Sequence, residues 1–120
     1  MQDLVDKGNA AAQTMLGAVY RAGSMGLKKS MKRAFRLFEA SAAQGHAPAQ
    51  KALGHIYERG EGVEVDWKTA ALWYRRAAEQ GFPEAQSNLG TLFYHGKGVA
   101  QSDAEVVKWF RLAAAQGYPR

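Results

Sequence analysis

Residues 49–81 read AQKALGHIYERGEGVEVDWKTAALWYRRAAEQG, and the fold is decided in this stretch. Ala49, Leu53, Gly54 and Tyr57 recur at the spacing that gathers side chains on one face of an α-helix, here termed helix A. Ala70, Trp73, Tyr74 and Ala77 form a second stripe of the same period, helix B. Between the two lies Gly60-Glu61-Gly62. Glycine at a helix end takes the left-handed conformation without a Cβ clash, so helix A stops at Gly60 and a tight turn follows. Asp66 then stands where a carboxylate accepts a bond from a first-turn backbone N–H, which starts helix B; Gly81 ends it.

Outward from this hairpin the pattern repeats. Leu16-Gly17, Leu53-Gly54 and Leu89-Gly90 are separated by steps of 37 and 36 residues. The same steps carry Ala12-Gln13 to Ala49-Gln50 and Ala85-Gln86, Tyr20 to Tyr57 and Phe93, and Gln44-Gly45 to Gln80-Gly81 and Gln116-Gly117. Such self-similarity marks stacked hairpin units. The extra residue of the first copy falls between Gly23 and Gly26, in a loop that absorbs an insertion cheaply. Helix B recurs as Ala34, Leu37, Phe38 and Ser41 and as Val106, Trp109, Phe110 and Ala113. Ser30 and Ser102 cap it, Ser102 with Glu105 in a capping box.

Pro48 and Pro83 fit the first turns of the second and third helices A, where a missing N–H costs nothing. Glycine inside a helix costs roughly 1 kcal/mol against alanine, so Gly17, Gly54 and Gly90 at one position predict close helix approach. Ala12, Ala49 and Ala85 serve the same contact, while Tyr20, Tyr57, Trp73 and Trp109 fill the layer between hairpins. The expected division is repeats at 9–45, 46–81 and 82–117. Residues 1–8 read as the end of a preceding repeat and 118–120, with Pro119, as the start of a further one. A chain cut this way reads as part of a longer array, or as one that stacks end to end with itself.

The chain has 120 residues, 47% hydrophobic and 22% charged, the make-up of one globular domain. It holds no apolar run long enough to insert in a membrane, and its first residues lack the pattern of a secretion signal. With no cysteine, disulfides and thiolate metal sites are excluded, and both cytoplasm and periplasm stay open. The net charge of +5 serves solubility or an anionic partner.

The turn Gly60-x-Gly62-Val63 with Asp66 three residues on, then Ala70, Trp73-Tyr74, Ala77-Ala78 and Gln80-Gly81, resembles the Sel-1-like repeat, a relative of the tetratricopeptide repeat. Gly96-x-Gly98-Val99, Trp109-Phe110, Ala113-Ala114 and Gln116-Gly117 match as well; the first copy departs in its longer turn, in Leu27 and in Leu37-Phe38. A plain tetratricopeptide array has a period of about 34 residues and lacks this turn. The resemblance implies an all-α, right-handed α-α superhelix of three helix-turn-helix repeats. It also implies an adaptor or scaffold, as in bacterial envelope, secretion and host-interaction systems, that binds a protein or peptide partner on a concave face lined by helix A.

The variable positions on that face are Thr14, Lys51 and Ser87 in one row, Ala18, His55 and Thr91 in the next, and Arg21, Glu58 and Tyr94 in a third. These are the expected partner contacts. Lys28, Lys29, Lys32, Arg33 and Arg36 place five cations in nine residues and are the candidate contact for an anion. Nucleic-acid binding would want exposed aromatics among them, whereas Phe35 and Phe38 fall at or beside the buried face. With Lys51, His55 and Tyr94 the cluster also suits peptidoglycan or another anionic polymer, the second reading.

No cofactor is expected. His46, His55 and His95 lack carboxylates at metal-ligand spacing. No nucleophile elbow or phosphate loop is present, and the cysteine pairs of the family's cysteine-rich branch are missing, so the reading is not an enzyme. Glu58, Glu61, Glu64 and Asp66 cluster at one turn as a solvated loop, with Asp66 as a cap.

Overall fold

The computed structural model describes residues 2–118; Pro119, the expected start of a further repeat, lies outside them. The described residues form seven helices and no strand. They are α1 (Gln2–Asp6), α2 (Ala10–Ala22), α3 (Met31–Ala43), α4 (Ala47–Arg59), α5 (Trp67–Glu79), α6 (Pro83–His95) and α7 (Asp103–Ala115). Helices α2, α4 and α6 are the predicted helices A; α3, α5 and α7 are helices B. Each A packs on its own B, and α3 and α5 pack in turn on α4 and α6, so the hairpins stack in one direction into a body 44 × 29 × 22 Å.

The ends of the helices follow the expected chemistry, except that the capping box of Ser102 and Glu105 is only half formed, with no return bond from the Ser102 N–H to the Glu105 carboxylate. Ser30, Asp66 and Ser102 accept bonds from the backbone N–H groups of Arg33, Thr69 and Glu105. The carboxylate of Glu105 lies 3.9 Å from Lys108 Nζ. Gly23, Gly60 and Gly96 adopt φ of 69°, 69° and 67°. The N–H of each following residue reaches back to the last turn, as Ser24, Glu61 and Lys97 do to Val19, Ile56 and Leu92. These are Schellman closures. In the first turn the inserted residue is accommodated by Met25, which takes φ 52° and projects into solvent. A non-glycine residue in that conformation costs about 1 kcal/mol, a price set by the local backbone alone.

The glycines inside helices A have their predicted use. A Cβ on Gly17 would lie 2.9 Å from the Phe38 ring, on Gly54 2.5 Å from Tyr74, and on Gly90 3.1 Å from Phe110. Each helix B therefore sets an aromatic ring against the bare backbone of its own helix A, a contact that a side chain would crowd. Between hairpins, one cluster joins α3 and α4 through Ala34, Phe38, Ala49, Leu53 and Ile56. A second joins α5, α6 and α7 through Ala70, Tyr74, Leu89, Phe93 and Trp109.

Pairs of glutamines, the helix A member buried and its partner at the end of helix B exposed, tie the stack together. Gln44, Gln80 and Gln116 donate from Nε2 to Oε1 of Gln13, Gln50 and Gln86 at 2.9, 2.8 and 3.0 Å, closing each hairpin. Gln50 and Gln86 then donate to the carbonyls of Ala42 and Ala78 in the preceding helix B. A buried amide needs these bonds, because each missing one costs about 1–3 kcal/mol.

Two glycines separate the packing effects. Tyr74 is fully buried and cannot yield, so Gly54→Ala should lower stability by about 2 kcal/mol, outweighing the gain in helix propensity. Phe110 is only partly buried and starts farther away, so Gly90→Ala should stay within about 1 kcal/mol of neutral. Urea unfolding of both variants checks this; equal changes would mean that ring contact is not what fixes these glycines.

Candidate functional site

The residues expected on the helix A face come from α2, α4 and α6, and the structure sorts them into three groups. Two are turned inward. Ser87 is only 7% exposed, and the Thr14 hydroxyl lies 2.7 Å from Ser41 Oγ of α3. Ser87 is buried, and the hydroxyl of half-buried Thr14 is taken up by Ser41 and by the Ala10 carbonyl, so neither stands free on the face as the sequence placed it.

Arg21 and Lys51 are engaged between repeats. Arg21 Nη2 lies 2.8 Å from Glu61 in the second turn, and Lys51 Nζ lies 3.2 Å from Glu84 of α6. Both pairs are partly shielded and clamp consecutive hairpins, each contributing on the order of 1 kcal/mol. The third group, His55, Glu58, Thr91 and Tyr94, gathers where the second and third repeats meet.

His55 and Glu58 are fixed by Tyr74 of α5. Its phenol oxygen lies 3.0 Å from His55 Nδ1 and 3.1 Å from Glu58 Oε1. A phenol has one proton, and a carboxylate is its stronger acceptor, so the assignment that satisfies all three groups is a relay: His55 Nδ1–H donates to Tyr74, and Tyr74 donates to Glu58. Burial and the Glu58 charge push the Tyr74 phenol well above its ordinary range. His55 is held down to about 4, first by burial and then by the cations Lys51, Arg59 and Arg21, with Glu84 opposing. The imidazole is neutral at pH 7.

Next to this relay lie two adjoining cavities. One, of about 320 Å³, is lined by Glu58, Trp67, Thr91, Leu92, His95 and Lys97. The other, of about 390 Å³, is lined by Thr91, Tyr94, His95, Val106 and Phe110. Thr91 and His95 belong to both, and Tyr94 stands at the rim, 59% exposed, its ring edge-on to His95. Trp67 already holds a cation, Lys97 Nζ, 5.5 Å from its ring centre. Sequence reading missed His95, Trp67 and Lys97. His95 stands one turn after Thr91 on α6, a visible spacing, but Trp67 and Lys97 come from different hairpins and no spacing joins them. Among the described residues no three of His, Asp and Glu gather to hold a metal, and no helix is long and apolar enough to cross a membrane.

The basic residues lie elsewhere, on the outer side of α3 and its preceding loop. Lys28, Lys29, Lys32 and Arg36 are exposed, and Arg33 stacks on Tyr20 at 5.5 Å while its guanidinium donates to the Tyr20 hydroxyl.

Three stacked helical hairpins, with variable side chains presented from a rigid helical face, define an α-solenoid of the binding-scaffold class. The Sel1 repeat profile matches residues 10–46, 47–82 and 83–118, and the chain belongs to the Sel1 repeat family, whose members are generally protein-interaction scaffolds. The crystal structure of c5321, a protective antigen of uropathogenic Escherichia coli with an SLR fold, superposes with a TM-score of 0.93 at 44% identity; the match covers 97% of this chain and 25% of that one. A Sel1 repeat protein from Oxalobacter formigenes gives 0.89 at 38% identity, covering 97% and 86%. The Helicobacter pylori cysteine rich protein B, at 22% identity and a TM-score of 0.76, shares the fold. Chitin synthase regulatory factor 1 of Schizosaccharomyces pombe is 44% identical over 62 residues, 51% of this chain and 14% of the yeast protein.

The lowered pKa of His55 has a sign. Between pH 6.5 and about 4 the unfolded chain binds a proton there that the folded chain does not, so stability is lost as pH falls through that window. After solvent screening, His55 should account for roughly 1–2 kcal/mol of the loss. His55→Gln, which still offers Tyr74 a partner, should narrow by that amount the difference between urea unfolding near pH 7 and near pH 4.5. An undiminished difference would place the acid sensitivity on other groups.

Proposed function

We propose that this chain is an adaptor that holds a protein or peptide segment on the helix A face, at the junction of the second and third repeats. The observation that carries the reading is the pair of cavities sharing Thr91 and His95. Their walls come from helices locked by the glycine–aromatic and glutamine contacts, so a partner meets a preformed surface and loses little entropy in the protein. The side chains there are not required by the hairpin: Thr91 aligns with His55 and Ala18, Tyr94 with Glu58 and Arg21, and His95 with Arg59 and Ala22. Aromatic Tyr94, the His95 imidazole and the Tyr74-held Glu58 carboxylate supply apolar area and directional hydrogen-bonding groups, the mixture by which peptide grooves select a sequence.

Affinity capture followed by mass spectrometry tests the reading, with wild-type chain compared with a Tyr94→Ala/His95→Ala variant. Both side chains are exposed, so the fold should be retained, as the helical circular dichroism would report. Removal of a rim aromatic and its neighbour is expected to weaken a true partner by about tenfold or more. Equal capture of the same protein by both forms would remove the helix A face as its binding surface.

A further inference from the structure

A second groove lies away from the helix A face, between α3 and the turn of the second hairpin. It has a volume of about 500 Å³ and is lined by Met31, Phe35 and Val63 together with Lys32, Arg36, Glu39, Glu61 and Gly62. Met31, Phe35 and Val63 pack from below against the α3–α4 core, so the floor is apolar and firmly held. Of the basic cluster, Lys32 and Arg36 line it, and Lys28 and Lys29 stand exposed in the loop just before α3.

Nothing in the hairpin requires that cluster. The positions of Lys28, Lys29, Lys32, Arg33 and Arg36 are filled by Glu64, Val65, Lys68, Thr69 and Leu72 in the second repeat and by Ala100, Gln101, Ala104, Glu105 and Lys108 in the third. Those two sets carry no net charge, while the first carries five positive ones. Lys32 and Arg33 also sit in the first turn of α3, where cations oppose the helix dipole; α7 has Asp103 and Glu105 there. Among the described residues no carboxylate lies within ion-pair distance of Lys28, Lys29, Lys32 or Arg36. The arrangement costs helix stability, and no ion pair among the described residues offsets it for these four side chains.

We propose that this groove docks an acidic protein segment that sets an apolar side chain on Met31, Phe35 and Val63 while its carboxylates meet Lys28, Lys32 and Arg36. Charge complementarity selects the acid, and the guanidinium of Arg36 suits a carboxylate in a two-bonded fork. The lining of the groove selects protein over nucleic acid. It includes the Glu39 carboxylate, for which no ion pair is present among the described residues and which would repel a uniform polyphosphate backbone, whereas a segment of mixed sequence avoids it. The apolar floor likewise has no counterpart in a phosphate chain.

Fluorescence anisotropy with the full chain tests this, using three labelled probes of matched charge. They are a peptide of Asp and Glu interspersed with Leu and Phe, the same peptide with Ser at the apolar positions, and a single-stranded DNA. The Leu/Phe peptide should bind about tenfold tighter than its Ser counterpart, because one buried side chain is worth that factor. Lys28→Ala/Lys29→Gln/Lys32→Ala imports the residues of the third repeat, which the hairpin demonstrably accepts, and should weaken that binding about tenfold. Arg36→Glu, on the exposed side of α3, should do so independently. Binding of the Ser peptide or the DNA as tight as that of the Leu/Phe peptide would reduce the site to unspecific charge and overturn the proposal. Unchanged affinity in both variants, or no binding of the Leu/Phe peptide, would overturn it too.

Discussion

In every hairpin an aromatic ring from helix B rests on the bare backbone of a glycine in helix A: Phe38 on Gly17, Tyr74 on Gly54, Phe110 on Gly90. This contact sets how closely the two helices approach, and the rest follows from that distance. With the helices this close, the small residues Ala34 and Ala70 are fully buried, and Gln44, Gln80 and Gln116 can reach across to Gln13, Gln50 and Gln86. A glycine is a poor helix former, so the exchange is propensity for packing, and dense contact with a large ring more than offsets the loss.

The stack is built from a directional chain of such exchanges. Within a hairpin the glutamine pair satisfies one amide; between hairpins the same helix A glutamine bonds the carbonyl of Ala42 or Ala78 in the unit before. The ion pairs Arg21–Glu61 and Lys51–Glu84 run across the same boundaries. Local closure and stacking therefore share atoms, which couples neighbouring repeats as a one-dimensional array requires. Tyr74 shows how structure and site meet in one residue: its ring rests on Gly54 while its hydroxyl orients His55 and Glu58.

Much of this was legible in the sequence. The recurrence of Leu-Gly, of the paired glycines at the turn and of Ser30, Asp66 and Ser102 each maps to a local cause, and local causes act through neighbours a few residues apart. The glutamines recurred just as visibly at Gln13, Gln50 and Gln86, yet their role was not assigned, because a hydrogen bond to Ala42 or Ala78 belongs to the meeting of two hairpins. The site was less legible. Periodicity indicated which side chains leave helix A in a common direction, but Ser87 is covered, Thr14 is turned to Ser41, and His95 joins Thr91 in lining both cavities.

By itself the sequence determined the hairpin, its caps, its period and the family, since each depends on spacing along one chain and on the steric freedom of single residues. Tertiary structure alone decided which polar groups are available. Exposure is set by how near the neighbouring helix comes, and partners such as Glu84 for Lys51, Tyr74 for His55 and Lys97 for Trp67 are supplied by elements that no local rule brings together.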